Sequence, residues 1–212
     1  MVQAIPTNYG GTQFRSRLEA DWAASLDKLK IQWIYEPEGF KLSDGTWYSP
    51  DFYLPTSKAW LEIKGAHQER MSKTEQFAAD LWADFWTKFD QLPESDERWT
   101  ELMVYSDSSG YLDQNNPHKV NAWVDLTPPL VLLGTEPHRE TNFISITGVM
   151  GSDKRYSVVA SRCADCYVVS FAAIGAGLCR NCRSEHYQHS CEYCMTEFTR
   201  LPRPYQSGWG QW

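Results

Sequence analysis

Residues 58–64, Lys-Ala-Trp-Leu-Glu-Ile-Lys, alternate in the manner of a β-strand. A two-residue period turns Leu61 and Ile63 toward a core and sets Glu62 and Lys64 together on the other face. Ten residues separate Glu62 from Asp51, which sits in Ser49-Pro50-Asp51-Phe52-Tyr53-Leu54-Pro55. A charge in so apolar and aromatic a run is costly to bury without a partner or a task. With Asp51 on the neighbouring strand, two carboxylates would hold a hard divalent cation, and Lys64 would orient or help deprotonate a water. That is the equipment for hydrolysing a phosphodiester. An isolated E-x-K is usually a solvated ion pair, but the frame around this one, with Gly65 removing bulk just past it, sets it apart.

Residues 14–29 predict an amphipathic helix, with Phe14, Leu18, Trp22, Leu26 and Leu29 on one stripe. At about 100° per residue, Glu19 falls at the margin of that stripe with Arg15 one turn away. Glu19 would thus look into a site on the sheet that the helix covers, with Arg15 or Arg17 meeting a phosphate. The competing reading is a surface pair between Arg15 and Glu19.

Arg15-Ser16-Arg17-Leu18-Glu19 on a helix, then Pro50-Asp51, then Glu62-Ile63-Lys64-Gly65, resembles the PD-(D/E)XK nuclease superfamily. The resemblance spans roughly the first half of the chain. It implies an α/β, restriction-endonuclease-like αβββαβ core: a helix, a three-stranded antiparallel meander, a second helix and a further strand. It also implies divalent-metal-dependent phosphodiester cleavage, with Asp51 and Glu62 as ligands to Mg²⁺ or Mn²⁺, Glu19 as the helix-borne acid and Lys64 as the catalytic lysine. The compact spacing is similar to phage junction-resolving endonucleases, transposase nuclease subunits and small phage-encoded nucleases.

The pattern of residues 30–106 agrees with that order. Residues 31–36 alternate and predict a first strand. Ser43-Asp44-Gly45-Thr46 is a hairpin signal, residues 47–54 predict a second strand stopped by Pro55, and residues 60–64 a third. Phe77, Ala78, Leu81, Trp82, Phe85, Trp86 and Phe89 form a broad apolar face at helical spacing over residues 71–89, and their spacing assigns the two tryptophans to packing, not to base stacking. Residues 102–105 predict a fourth strand, residues 106–117 a loop, and residues 129–134 another strand. Glu36 and Glu38, close to the meander, are candidates to join the metal shell but as strand-end charges read rather as solvated, and His67, a candidate for a water or phosphate contact, reads rather as a loop histidine.

Cys163-Ala-Asp-Cys166 and Cys179-Arg-Asn-Cys182 are two C-x-x-C knuckles with twelve residues between them, just short of the usual ribbon range. Four thiolates converging on one point suit tetrahedral Zn²⁺, and residues 168–171 predict a strand between the knuckles. A structural zinc would offset the small core of so short a segment. His186, His189, Cys191 and Cys194 add donors for a second site, so one zinc or two are expected. Disulfides and an iron–sulfur cluster are the alternatives. Without a signal peptide or membrane span in the sequence, metal knuckles in a reducing cytoplasm are expected, the host's if the chain is phage-encoded.

The chain divides accordingly into a nuclease core over residues 1–140, a zinc-ribbon-like module over 141–200 and a Pro/Gly/Trp-rich tail over 201–212. A net charge of −7 is unpromising for a nucleic-acid binder. Residues 1–140 carry 13 basic against 22 acidic side chains, whereas residues 141–212 carry 7 against 5. The basic excess of the second part, including Arg180 and Arg183, suits phosphate contact, while bound metal would cancel part of the acidic site's charge. DNA is the expected substrate, with no membrane partner; the low basicity points to modest affinity, a structure-selective substrate or a protein partner that delivers DNA, and cutting of both strands would imply a homodimer. The main rival reading is a nuclease-fold adaptor that has lost catalysis; more distant ones are RNA cleavage and a subunit active only in a larger complex.

Overall fold

The computed structural model describes residues 4–65, 71–91, 130–137, 142–151, 154–173, 181, 187–188 and 197–202. In chain order these form strands β1 (Thr7–Tyr9) and β2 (Thr12–Phe14), helix α1 (Arg17–Lys28), then β3 (Ile34–Tyr35), β4 (Phe40–Lys41), β5 (Trp47–Tyr48) and β6 (Phe52–Leu54). A single 3₁₀ turn (Pro55–Ser57) leads to β7 (Ala59–Lys64), helix α2 (Ser72–Asp90), β8 (Leu130–Thr135), β9 (Ser145–Gly151), β10 (Lys154–Cys163), β11 (Val169–Ala173) and β12 (Tyr187–Gln188).

The architecture is mixed α/β. One sheet runs in the order β11-β10-β9-β8-β7-β6-β3, with β12 alongside β10. Every pairing is antiparallel except β7 with β8, where Leu61 lies against Leu132 and Ile63 against Gly134 in parallel register. Parallel neighbours need a crossover, and α2 lies on the connection between them. β1–β2 and β4–β5 are separate two-stranded hairpins.

Helix α1 begins where Ser16, in extended backbone, caps it: the Ser16 hydroxyl accepts the Glu19 N–H at 3.2 Å and donates to Glu19 Oε1 at 2.7 Å. This is a variant of the capping box. Phe14 ends β2 instead of opening the helix, so the expected start at residue 14 moves to Arg17. Residues 197–202 lie along the outer side of α1. Thr199 N–H reaches Ser25 Oγ at 2.9 Å, Leu201 N–H reaches Asp21 Oδ1 at 2.8 Å, and Phe198 packs edge-on to Trp22. Asp21 and Ser25, two polar residues of α1, are buried where this strap meets them.

Strand β7 is buried on both faces. Leu61 and Ile63 join Trp22, Leu26 and Leu132 in a cluster under α1, whereas Trp60 joins Tyr48, Phe77, Val131 and Leu133 under α2. The sequence reading left the Glu62 face open to a pocket; α2 and the β4–β5 hairpin cover it, and Glu62 is only 7% exposed. The expected single strand over residues 47–54 is two strands, because the chain bends at Ser49-Pro50-Asp51. Its first part, β5, pairs with β4 across the Asp44-Gly45 turn, where Gly45 takes φ +85°, and its second part, β6, enters the main sheet.

The expected strand at 102–105 lies outside the described residues. The strand paired with β7 after α2 is Leu130–Thr135, the additional strand anticipated at 129–134. The same sheet continues through β9, β10 and β11, so residues on both sides of position 140 contribute neighbouring strands. The sheet turns far enough for Phe171 N–H of β11 to reach Ser57 Oγ at 3.3 Å beside the β6–β7 connection. No helix among the described residues is long and apolar enough to cross a membrane.

Gly134 of β8 lies where Trp22 and Ile63 meet. A Cβ there would stand 2.8 Å from Trp22 Cζ2 and 2.8 Å from Ile63 Cδ1. Gly134→Ala should therefore overpack the α1 face and cost about 1–3 kcal/mol, read as a lower denaturation midpoint with unchanged slope. An unchanged midpoint would show that Trp22 moves aside freely.

Candidate active site

The break between β5 and β6 creates the site. β6 pairs with β7 only from Phe52 opposite Leu61 onward. On that register Pro50 would stand opposite Ile63, and the bend there leaves Ile63 N–H to the Asp51 side chain, whose Oδ2 accepts it at 2.7 Å. Asp51 is thus pinned beside β7 and is 4% exposed. Its other oxygen, Oδ1, accepts from Arg15 Nη2 at 2.7 Å. The same guanidinium nitrogen lies 2.7 Å from Glu36 Oε1.

Glu62 and Lys64 share one face of β7, as their spacing predicts, and Lys64 Nζ donates to Glu62 Oε1 at 2.6 Å. Glu62 Oε2 accepts the Tyr48 hydroxyl at 2.8 Å, and that hydroxyl lies 3.3 Å from Thr74 Oγ1 at the start of α2. Glu19 completes the group from α1: Oε1 is held by Ser16, and Oε2 accepts the Tyr35 hydroxyl at 2.5 Å. Tyr35 is wedged among Phe14 and Phe52, with ring centroids 4.5 and 5.4 Å away, and this packing aims its hydroxyl. Burial and the hydrogen bond to Glu19 push the Tyr35 phenol up to about 12, and burial with the charge of Glu62 holds that of Tyr48 well above its ordinary value. Both therefore stay protonated and act as donors that fix the carboxylates.

The electrostatics are those of an acid-rich pocket. Burial first, then the negative charges of Glu62 and Glu19, raise the Asp51 carboxyl well above the usual carboxylate range, against the opposing pull of Ile63 N–H and Arg15. When all are ionised, the four carboxylates of Glu19, Glu36, Asp51 and Glu62 face the two cations Arg15 and Lys64, an excess of two negative charges. The donors are hard oxygens, and each Asp51 and Glu62 oxygen keeps a lone pair beyond its present partner. Among the described residues no three of His, Cys, Asp and Glu form a group that could hold a metal ion. The fit of a divalent cation accordingly rests on the Asp51–Glu62 pair and the charge excess around it.

Not every expected side chain joins this pocket. Arg17 turns away from it, toward Asp21 and the carbonyl of Leu201. Arg180, Arg183 and His67 lie outside the described residues. Tyr35, Tyr48 and Thr74 were not singled out by the sequence reading, and Glu36, read as solvated, is an ion-pair partner of Arg15. The Ser16-x-x-Glu19 pattern is the local signal that would have fixed the start of α1 and the orientation of Glu19.

At the far end of β10, Cys163 is buried and Cys166 half-buried on a tight turn. Cys163 N–H donates to Val168 O at 3.0 Å, Tyr167 N–H donates to Cys163 O at 3.1 Å, and Tyr167 takes φ +59°. The left-handed residue lets the chain reverse within one knuckle, so both sulfurs leave the same hairpin. Cys179, Cys182, His186, His189, Cys191 and Cys194 lie outside the described residues. No protein-family model, curated protein or solved structure matches the chain.

The raised Asp51 carboxyl sets the sign of a pH effect. Between the unfolded value near 3.8 and the higher folded one, the native state retains a proton that the unfolded chain has released. Stability of the metal-free protein should therefore fall as pH rises through that interval, and Asp51→Asn should flatten the fall. Buried Asp21 contributes in the same sense and supplies the residual slope. Melting temperatures in metal-free buffer from pH 5 to pH 8 test this; equal slopes in both proteins would remove Asp51 as the cause.

Proposed function

We propose that this protein is a divalent-metal-dependent endonuclease that hydrolyses DNA phosphodiester bonds, built on a PD-(D/E)XK core with a C-terminal zinc-binding segment. The observation that carries the reading is the meeting of Asp51, Glu62 and Lys64 where β6 breaks beside β7, with the charge of Glu19 acting on Asp51 from α1. The element order supports it: α1, then β3, β6 and β7 in antiparallel sequence, then α2 and a strand parallel to β7. The β4–β5 hairpin is an insertion within the meander.

In this reading Asp51 and Glu62 hold Mg²⁺ or Mn²⁺, with Glu19 completing or positioning the metal shell. The cation supplies charge neutralisation at the scissile phosphate and a more acidic water. Tyr48 fixes the carboxylate of Glu62. Lys64, released from Glu62, would hold the attacking water, whose oxygen forms the new bond to phosphorus as the bond to the leaving oxygen breaks, the water's proton passing through solvent to that oxygen. Arg15, whose side chain is 58% exposed, can turn from Asp51 to a phosphate oxygen. Cys163, Cys166, Cys179 and Cys182 hold one structural zinc, and His186 or His189 with Cys191 and Cys194 supply ligands for a second. Arg180 and Arg183 would add phosphate contacts, and cutting of both strands would call for a homodimer or a partner protein.

Plasmid nicking with Mg²⁺ or Mn²⁺ should be lost in Glu62→Ala and should drop by about 10²–10⁴-fold in Lys64→Ala, the range for removing a group that handles a proton or its water. Circular dichroism should show both variants folded. Cutting retained by both would sink the nuclease reading, and no cutting by folded wild type with either cation would favour an adaptor or a subunit awaiting its complex. Metal analysis of purified protein should give one or two zinc ions per chain, and Cys163→Ser should lose at least one. An unchanged zinc content in that variant would remove Cys163 as a ligand.

A further inference from the structure

The β4–β5 hairpin stands outside the main sheet, yet it is fastened to the candidate site. Phe40 lies opposite Tyr48 and Lys41 opposite Trp47. Directly opposed residues share a face, so Phe40 and Tyr48 point inward and Lys41 and Trp47 point out. The inward face is anchored: Phe40 packs 5.0 Å from Trp60 and 4.8 Å from Phe77, Tyr48 packs 5.1 Å from Phe77, and the Tyr48 hydroxyl holds Glu62. The outward face carries a tryptophan that is 67% exposed beside an exposed lysine.

The Trp47 ring is positioned and not merely dangling. Its Cε3 and Cζ3 lie 3.7 and 3.9 Å from where a Cβ on Gly39 would stand, so the indole rests over side-chain-free backbone. Lys73 of α2 donates to the Trp47 carbonyl at 3.0 Å, bringing a second cation to the same strand. Of the acids near the tip, Asp44 accepts from Thr46 within the hairpin, and Asp80 of α2 accepts the Ser43 N–H and hydroxyl at 2.8 and 2.7 Å. These bonds hold the hairpin rigid against α2.

We infer that the outer face of this hairpin, Trp47 with Lys41, and with Lys73 at the backbone edge of β5, is a stacking platform for an unpaired DNA base. A flat aromatic surface beside cations is the chemistry that binds single-stranded nucleic acid, because every base offers a π-face and every linkage a phosphate. Within a duplex each base face is already stacked on its neighbours, so the platform selects DNA with unpaired nucleotides: ends, gaps, flaps or branches. The hairpin sits in the chain between β3 and β6, and its inward residue next to Trp47, Tyr48, holds Glu62, so the platform lies on the outer side of the element that covers the carboxylates. This deepens the nuclease reading by naming its substrate class.

The test uses the full zinc-loaded chain without added Mg²⁺ or Mn²⁺, so that binding is read apart from cleavage. Fluorescence anisotropy should show labelled oligo-dT bound more tightly than a blunt duplex of equal length. Trp47→Ala should weaken oligo-dT binding by roughly 5- to 150-fold, the loss expected from one base–aromatic stack, with Trp47→Phe losing less and duplex affinity unmoved. Equal oligo-dT affinity in wild type and Trp47→Ala, equal weakening of single strand and duplex, or no oligo-dT binding by wild type would each overturn the inference. Trp47-dependent binding by a protein that cuts nothing would favour the adaptor or the subunit awaiting its complex and leave the platform standing, whereas cutting with binding indifferent to Trp47 would overturn the platform and leave the nuclease reading standing.

Discussion

The hydrogen bond from Ile63 N–H to the Asp51 carboxylate joins the sheet to the candidate site. A backbone donor in the interior must find an acceptor, and the bend at Pro50 removes the one that an unbroken β6 would have offered. A side chain takes its place. That substitution fixes Asp51 against the strand that carries Glu62 and Lys64, and it frees the preceding residues to form a separate hairpin. The same break therefore sets the carboxylate pair and releases the hairpin that bears Trp47.

Holding several carboxylates together in a poorly solvated place requires compensation. Here it comes from Arg15 and Lys64, from the backbone of Ile63, and from two tyrosine hydroxyls kept protonated by their own burial. The compensation is incomplete, and the raised Asp51 carboxyl records the remainder. A pocket in that condition gains from any added positive charge, which is the physical content of proposing a cation there. Aromatic packing supplies the rigidity: Phe14, Tyr35 and Phe52 on the α1 side, and Phe40, Trp60 and Phe77 on the α2 side, leave the carboxylates few alternative positions.

The main sheet takes strands from both parts of the sequence, although the cysteines and the basic excess belong to the second part. β9 continues from β8, and β10 runs from the sheet directly into Cys163. The residues beyond the last cysteine pair return to α1, where Phe198, Thr199 and Leu201 cover Trp22, Ser25 and Asp21. The Cys163 knuckle is therefore an extension of the strand order, and the helix that bears Glu19 is packed from both ends of the chain.

Periodicity in the sequence determined the local elements. The alternation of residues 58–64 made β7, the apolar spacing of residues 71–89 made α2, and Asp44-Gly45 made the hairpin turn, because each depends on neighbours a few residues away. The pairing of Glu62 with Lys64 followed from the same two-residue period. Tertiary structure alone decided that both faces of β7 are buried, since that needs α2 and the hairpin to arrive from elsewhere in the chain. It likewise decided that Asp21 and Ser25 are covered by residues 197–202, that Arg15 pairs with Glu36 and Asp51 while Arg17 turns to Leu201, and that Tyr35 and Tyr48 serve the carboxylates. Those contacts join residues 14 to 184 positions apart, and no local period encodes a partner at that distance.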